Sequence, residues 1–233
     1  MRVLVTGANR GIGAAIASRL VKEGHNVWGS HRGDTVPDGV RPVEMDVTAD
    51  ASVDQAFRHI EQTDGPIEGL VANAGIVDVK LILRMTTEDF SRLVDTNLTG
   101  AFRVAQRASR GMSKAKFGRM VFISSAAGTE GMPGQVHYAA AKAGLVGLAR
   151  SLAKELAGPK RDFTANVITP GYTSTDMLAA VPAALLEAEL ATILLGRIGK
   201  PEEVAGVAAF LLSPDAAYIT GAVIPVDGGI TLR

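Results

Sequence analysis

Val3-Leu-Val5, then Thr6-Gly-Ala-Asn-Arg-Gly-Ile-Gly13, then Ala14 to Glu23 is the stretch that decides the fold. Val3 to Val5 is a short β-branched and apolar run, the mark of a buried strand. Ala14 to Glu23 carries the Ala/Ile/Leu spacing of an amphipathic helix, ended near Gly24. Between them, Gly7, Gly11 and Gly13 let the backbone come close to a ligand. The helix start offers free N–H groups and a positive dipole end, so strand, turn and helix form a cradle for a pyrophosphate. The spacing Gly-x-x-x-Gly-x-Gly is not the usual Gly-x-Gly-x-x-Gly of dinucleotide sites, and a plain glycine turn is the simpler alternative.

Working outward, the same alternation repeats. Strands are expected at Val27–Ser30, Val43–Val47, Gly69–Ala72, Gly118–Ile123, Ala165–Ile168 and Ala222–Val226. Helices are expected at 51–62, 88–112, 136–157 and 201–211, the last opening with Pro201, Glu202 and Glu203 as a helix start prefers. Strands alternating with helices predict an α/β fold: a Rossmann-type, doubly wound parallel sheet of about seven strands, in three α/β/α layers. Residues 1–233 read as one domain. Tyr172 to Lys200 is Ala/Leu-rich and follows the sixth strand, on the ligand edge. It reads as a substrate lid at about 172–200, or as a docking helix or subunit contact.

After the second strand comes His31-Arg32-Gly33-Asp34, where the cofactor is chosen. An acid about twenty residues past the glycine turn suits the ribose 2′-hydroxyl of NAD, and Asp34 is near that distance. His31 and Arg32 come first, and Arg10 lies in the turn itself, so two arginines converging on a 2′-phosphate point to NADP(H). A solvated turn is the alternative.

The chemistry sits in Ser124 to Lys142. Ser124 and Ser125 follow a buried strand, at the sheet edge where α/β folds bind ligands. Tyr138 and Lys142 are four residues apart on an alanine-rich helix and so share one face. A free tyrosine, with a pKa near 10, is a poor proton shuttle at neutral pH. A nearby ammonium favours the phenolate and lowers that value, while a serine hydroxyl can hold a carbonyl oxygen. A core tyrosine beside a snorkelling lysine is the plainer reading.

Composition narrows the classes. The chain has zero formal net charge, which argues against a general nucleic-acid or membrane-surface binder. It has no cysteine, so disulfides, thiolate catalysis and Cys-ligated metals are excluded. His25, His31, His59 and His137 are scattered, and no metal site is expected. No apolar run reaches the ~18 residues of a membrane span, and a strand beginning at Arg2 leaves no room for a signal peptide.

Thr6-Gly-x-x-x-Gly-x-Gly13, Asp46, Asn73-Ala-Gly75, Asn97, Ser125, Tyr138-x-x-x-Lys142 and Pro170-Gly171 occur in this order along essentially the whole chain. Together they resemble the short-chain dehydrogenase/reductase family. Thr96-Asn-Leu-Thr-Gly100, Tyr138-Ala-Ala-Ala-Lys-Ala-Gly144, Pro170-Gly-Tyr-Thr-Ser-Thr-Asp-Met177 and Val226-Asp-Gly-Gly229 are most similar to its β-ketoacyl-acyl-carrier-protein reductases. His31-Arg32-Gly33 and Gly100 to Ser109 resemble the mycobacterial mycolic-acid-type subgroup. Glu130 stands where an apolar residue is expected in a long-chain enzyme, so chain length stays open.

The resemblance implies that Ser125 orients the substrate carbonyl, Tyr138 donates the proton, Lys142 lowers the tyrosine pKa and holds the nicotinamide ribose, and Asn97 anchors a water that leads to Lys142. Ser124 is the alternative serine. The implied cofactor contacts are Gly7, Asn9, Arg10, Gly11, Ile12 and Gly13 in the turn, His31 and Arg32 at the ribose, and Asp46 and Val47 at the adenine. Asn73, Gly75, Tyr138, Lys142, Pro170, Gly171, Thr173 and Thr175 complete the set. The implied activity is NADPH-dependent reduction of a 3-oxoacyl thioester on acyl carrier protein, in cytoplasmic fatty-acid synthesis. A short-chain alcohol dehydrogenase or carbonyl reductase on another small ketone is the alternative, and a silent nucleotide-binding protein a third.

The family typically forms homotetramers, and a homotetramer or homodimer is expected, because Leu145, Val146, Leu148, Leu152 and Leu156 exceed what one sheet face needs. Arg103, Arg107, Arg110 and Lys114, extended by Lys116 and Arg119, read as a basic stripe for an acidic carrier protein, with Lys116 the preferred contact. A solvated face or pairing with acids is the alternative.

Overall fold

The computed structural model describes residues 1–33, 35–175 and 190–232. Asp34 and residues 176–189, including Leu185 and Leu186 of the expected lid, lie outside the described residues. The strands are β1 (Arg2–Val5), β2 (Asn26–His31), β3 (Arg41–Glu44), β4 (Gly69–Ala72), β5 (Phe117–Ile123), β6 (Asp162–Pro170) and β7 (Val223–Val226). The helices are α1 (Gly11–Lys22), α2 (Asp50–Asp64), α3 (Thr87–Val94), α4 (Gly100–Ala115), α5 (Ala127–Glu130), α6 (Val136–Leu156) and α7 (Pro201–Leu212). All pairings of the seven-stranded sheet are parallel, in the order β3-β2-β1-β4-β5-β6-β7.

A parallel sheet covered on both faces explains why its strands read as unbroken apolar runs. Val3 and Val5 of β1 enter one core with Val121, Ile123, Ile16 and Leu20, beneath α1 and α7. Leu4, between them, enters the opposite core with Met120, Phe122, Phe57 and Val104, beneath α2, α4 and α6. The 2-residue period of a strand deals successive side chains to the two cores.

Three expectations change. Residues 88–112 are not one helix: α3 and α4 are separated by a five-residue π-helix, Asp95–Thr99, which carries Asn97. Leu145 is buried, and Val146, Leu148, Leu152 and Leu156 pack partly buried against the same core, so the chain itself absorbs much of that surface. At the end of the expected lid, Ile193 is buried while Leu194 and Leu195 are exposed, and Leu195 N–H bonds to Gly228 O. That part of the segment docks on the loop after β7.

The edge opposite the ligand edge is tied by one carboxylate. Asp64, the last residue of α2, accepts from Trp28 Nε1 at 2.8 Å, Asn26 Nδ2 at 3.1 Å and Arg41 at 2.6 Å. Burial pushes its pKa up, but the bonds from Trp28 and Asn26 and the charge of Arg41 outweigh that and hold it below the usual value. A depressed folded pKa stabilises above the unfolded carboxylate value of ~3.9, and the contribution is lost as pH falls through the folded value. Asp64→Asn is therefore expected to lower the unfolding midpoint at pH 7 and to flatten the acid limb of the stability profile. Fluorescence of Trp28, the single tryptophan of the chain, reads this directly. An unchanged midpoint at pH 7 would show that the carboxylate does not tie α2 to the sheet.

Candidate functional site

The floor of the cleft is a stitch between the ends of β1 and β4. The Thr6 hydroxyl oxygen accepts the N–H groups of Asn73 and Ala74, both at 2.9 Å. The Asn73 side chain donates back to Thr6 O at 2.9 Å and Gly7 O at 3.2 Å. Above this floor runs the glycine turn. Gly7 and Gly11 adopt φ of 64° and 55°, a region that favours glycine. A Cβ on Gly13 would stand 2.1 Å from Gly7 O, so only glycine lets α1 start there. Its first turn carries no acid, and its N-cap, Arg10, is extended and makes no side-chain cap bond. The N-terminal N–H groups of α1 thus have no side-chain cap, as a phosphate site requires. Ile12 packs partly buried against the α1 core, leaving its backbone to the turn.

The rest of the expected cofactor set gathers around this turn. Gly11 is approached by Thr175, whose Cγ2 lies 3.2 Å from the position a Cβ would take. The segment from Pro170 to Thr175 is held from behind: Gly171 N–H bonds to Val226 O, and Ser174 N–H to Gly199 O. The Thr173 hydroxyl donates to Gly171 O at 3.1 Å. At the other end, His31 closes β2, its Nδ1 accepting Gly33 N–H at 3.1 Å, and Arg32 is exposed. Asp46 accepts from Thr48 N–H at 2.9 Å and the Thr48 hydroxyl at 2.7 Å. These bonds lower its pKa despite partial burial, and the charges of Arg32 and Arg103 add to the effect. Val47 turns its side chain onto Gly100 of α4, and its carbonyl accepts from Arg103, so its backbone is what it offers a nucleotide. The cradle that glycine alone can occupy and the uncapped helix start fit a dinucleotide.

Ser125, Tyr138 and Lys142 converge beyond the turn. Ser124 is buried and its hydroxyl donates to Lys142 O at 2.8 Å, a tie between β5 and α6. Ser125, one residue on, is partly open, and its hydroxyl lies close enough to the Tyr138 phenol to lower that group's pKa. Lys142 is 5% exposed, its Nζ donates to Ile123 O at 2.8 Å, and it lies 5.7 Å from the Tyr138 ring centroid. A Cβ on Gly75 would sit 3.6 Å from that Nζ, which places the Asn73-Ala-Gly75 segment against the lysine.

Asn97 is 1% exposed. Its Oδ1 accepts Ile76 N–H and its Nδ2 donates to Ile76 O, both at 2.8 Å. The side chain is a clamp on the loop after β4.

Two expectations are corrected here. Lys142 was expected to lower the Tyr138 pKa. Burial raises it instead, opposed in part by the Ser125 hydroxyl, and burial also lowers Lys142 to about 8. Both groups lose water, which disfavours phenolate and ammonium alike. Half of the basic stripe is taken up by acids of the chain itself, while Arg110, Lys114 and Lys116 stay exposed. Arg103 is paired with Asp50 and Asp95, Arg107 with Asp54 and Glu61, and buried Arg119 with Asp162. Lys116 caps α4 in a left-handed conformation at the start of β5. Seven strand residues, about 23 Å, separate it from the Ser125 edge, so it stands away from the cleft beside which the carrier contact was expected.

Comparison with known proteins agrees with this geometry. A family model described as Enoyl-(Acyl carrier protein) reductase matches residues 7–231. The chain is 54% identical to the 3-oxoacyl-[acyl-carrier-protein] reductase MabA of Mycobacterium tuberculosis, over 98% of this chain and 92% of that protein. It is 40% identical to the 3-oxoacyl-[acyl-carrier-protein] reductase FabG of Escherichia coli, over 97% and 96%. A crystal structure provisionally described as a gluconate dehydrogenase from Agrobacterium tumefaciens superposes with a TM-score of 0.92 at 32% identity, covering 98% of this chain and 95% of that one. A nicotinamide-binding α/β fold, the Ser125–Tyr138–Lys142 cluster and these matches along nearly the whole length place the chain in the short-chain dehydrogenase/reductase family.

Proposed function

We propose that the chain is an NADPH-dependent reductase that converts a 3-oxoacyl thioester on an acyl carrier protein to the 3-hydroxyacyl thioester, in cytoplasmic fatty-acid synthesis. The observation that carries this reading is the contact of Ser125 with Tyr138, one helical turn from buried Lys142, beside a glycine turn shaped for a pyrophosphate. The full-length similarity to MabA and FabG supports the choice of substrate.

When bound, the nicotinamide supplies the hydride. Gly7 to Gly13 and the start of α1 would hold the pyrophosphate, Arg10 and Arg32 would meet the 2′-phosphate, and Asp46 and Val47 would meet the adenine. Ser125 holds the substrate carbonyl oxygen by hydrogen bond. Tyr138 protonates that oxygen as it becomes an alkoxide. Its raised pKa keeps the phenol protonated, which reduction requires. Lys142, at about 8, is the stronger acid of the two, so its proton can replace the one Tyr138 gives away. Asn97 keeps the loop through Ile76 in place beside this pair. The similarity to a structure described as a gluconate dehydrogenase keeps a second reading, an alcohol dehydrogenase or carbonyl reductase on a smaller polar ketone, and exposed Glu130 near the cleft favours it. A homotetramer or homodimer through α4 and α6 is part of the proposal. Phe102, 44% exposed on α4, and Val136, 43% exposed at the start of α6, are apolar side chains available to it.

Tyr138→Phe is expected to reduce kcat by roughly 10² to 10⁴ while leaving NADPH affinity nearly intact, because it removes only the proton donor. NADPH oxidation with acetoacetyl thioesters on carrier protein and on coenzyme A, and with a panel of simple ketones, measures this and separates the two substrate readings. Near-normal turnover by the variant would sink the mechanism.

Arg32→Ala is expected to narrow the preference for NADPH over NADH by at least about tenfold, since a charge-assisted bond is worth about 1.5–3 kcal/mol. Equal kcat/KM for both cofactors in the unmodified protein would instead assign the ribose to Asp34.

The rate of reduction is expected to fall as pH rises through about 8, where Lys142 loses its proton. Below that value the ammonium is present and the supply of protons to Tyr138 is intact. A kcat profile that stays flat from pH 7 to pH 10 would exclude Lys142 from the proton path.

A further inference from the structure

The start of α6 holds a group that the reading above does not use. The N-cap, Gln135, makes no side-chain bond to the helix, and the first turn contains no acid. The first N–H groups of a helix have no carbonyl within the helix and need another acceptor. For Tyr138 that acceptor is the ring of the residue before it: His137 Nδ1 takes the Tyr138 N–H at 3.0 Å. His137 is 0% exposed. It heads the buried column His137, Ala141, Leu145, Ala149 on α6, one turn apart, so its ring is enclosed.

An Nδ1 that accepts carries no proton, and the neutral ring then bears its proton on Nε2. Nε2 is buried and has no hydrogen-bond partner among the described residues. An apolar side chain would fill this space without a polar atom to desolvate. What the imidazole adds over such a side chain is the acceptor at Nδ1.

We infer that His137 is a positioning residue for the reduction: its neutral ring fixes the backbone of Tyr138 in the first turn of α6 and so sets the phenol against Ser125. The inference rests on the reading of Tyr138 as proton donor. Ser125 is held separately, its Oγ accepting Ala127 N–H at 3.2 Å on the loop after β5. The two hydroxyls therefore meet only if α6 begins at the right place, and small misplacements of reacting groups are costly in rate.

The test compares two side chains of similar size. His137→Asn carries Oδ1 on the same Cγ as Nδ1 and keeps the acceptor; His137→Leu removes it and keeps apolar bulk. Reduction of an acetoacetyl thioester, NADPH affinity and the unfolding midpoint are measured for both, beside Tyr138→Phe. The asparagine variant is expected to keep kcat within about threefold, and the leucine variant to lose about tenfold to a hundredfold in kcat with NADPH affinity unchanged. If the leucine variant does not fold, His137→Ala is the reference without an acceptor. A leucine variant equal to or better than the asparagine variant in kcat would mean that His137 only fills space, and would overturn the inference. Full turnover by Tyr138→Phe would overturn the proton-donor reading instead, whatever the His137 variants do.

Discussion

One hydroxyl holds together the point where this sheet changes direction. From β1 the chain winds outward to β2 and β3, then returns to β4 and proceeds the other way to β7. The ends of β1 and β4 therefore diverge above the sheet, and such a gap is where α/β folds bind ligands. Thr6 closes its base by accepting two successive N–H groups from the β4 loop, and Asn73 returns two bonds to the glycine turn. The turn has no slack of its own. Gly13 is packed onto Gly7 and onto the Asn73 amide, so the height of the phosphate cradle is set by that stitch. The chain beyond Asn73 inherits the same reference. Ile76 is gripped by Asn97, and Gly75 lies against both Asn97 and Lys142.

The electrostatics of the cleft come from withdrawal of water more than from mutual charge. Tyr138 keeps its proton more tightly than in water and Lys142 keeps its own less tightly. The usual order of acidity of a phenol and an ammonium is nearly level in water. Here it is separated in the direction that lets the lysine refill the tyrosine. No charged neighbour is among the causes of either shift.

The sequence made the layered α/β fold legible because both faces of the sheet are buried, and buried parallel strands appear as short uninterrupted apolar runs such as Val3 to Val5 and Met120 to Ile123. Ser125, Tyr138 and Lys142 were legible too, since a helical spacing and a strand end are local facts. What could not be read depends on partners distant in the chain. The spacing of Arg103 and Arg107 correctly put them on one face of α4, but the acids opposite them, Asp54 and Glu61, come from α2. Lys116 precedes the strand leading to Ser125, yet sits at the wrong end of it, because a strand carries the chain across the whole sheet. His137 gave no signal at all: its role is visible only in the bond it makes to its neighbour and in the bond it fails to make.

The π-helix between α3 and α4 has a consequence for how this chain tolerates length changes. Asp95–Thr99 is one residue richer than an α-helical path between the same two helices, because π geometry bonds i to i+5. Excising a single residue there would let α3 and α4 fuse into one regular α-helix, with better local geometry than the native chain has. A π turn takes one residue more than an α turn to cover about the same rotation and rise, so α3 and α4 would keep nearly the same faces after the excision. What would be lost is local: the wide turn holds the Asn97 side chain against both backbone groups of Ile76, and closing it removes that grip. The extra residue therefore serves the loop after β4 and not the seating of the two helices.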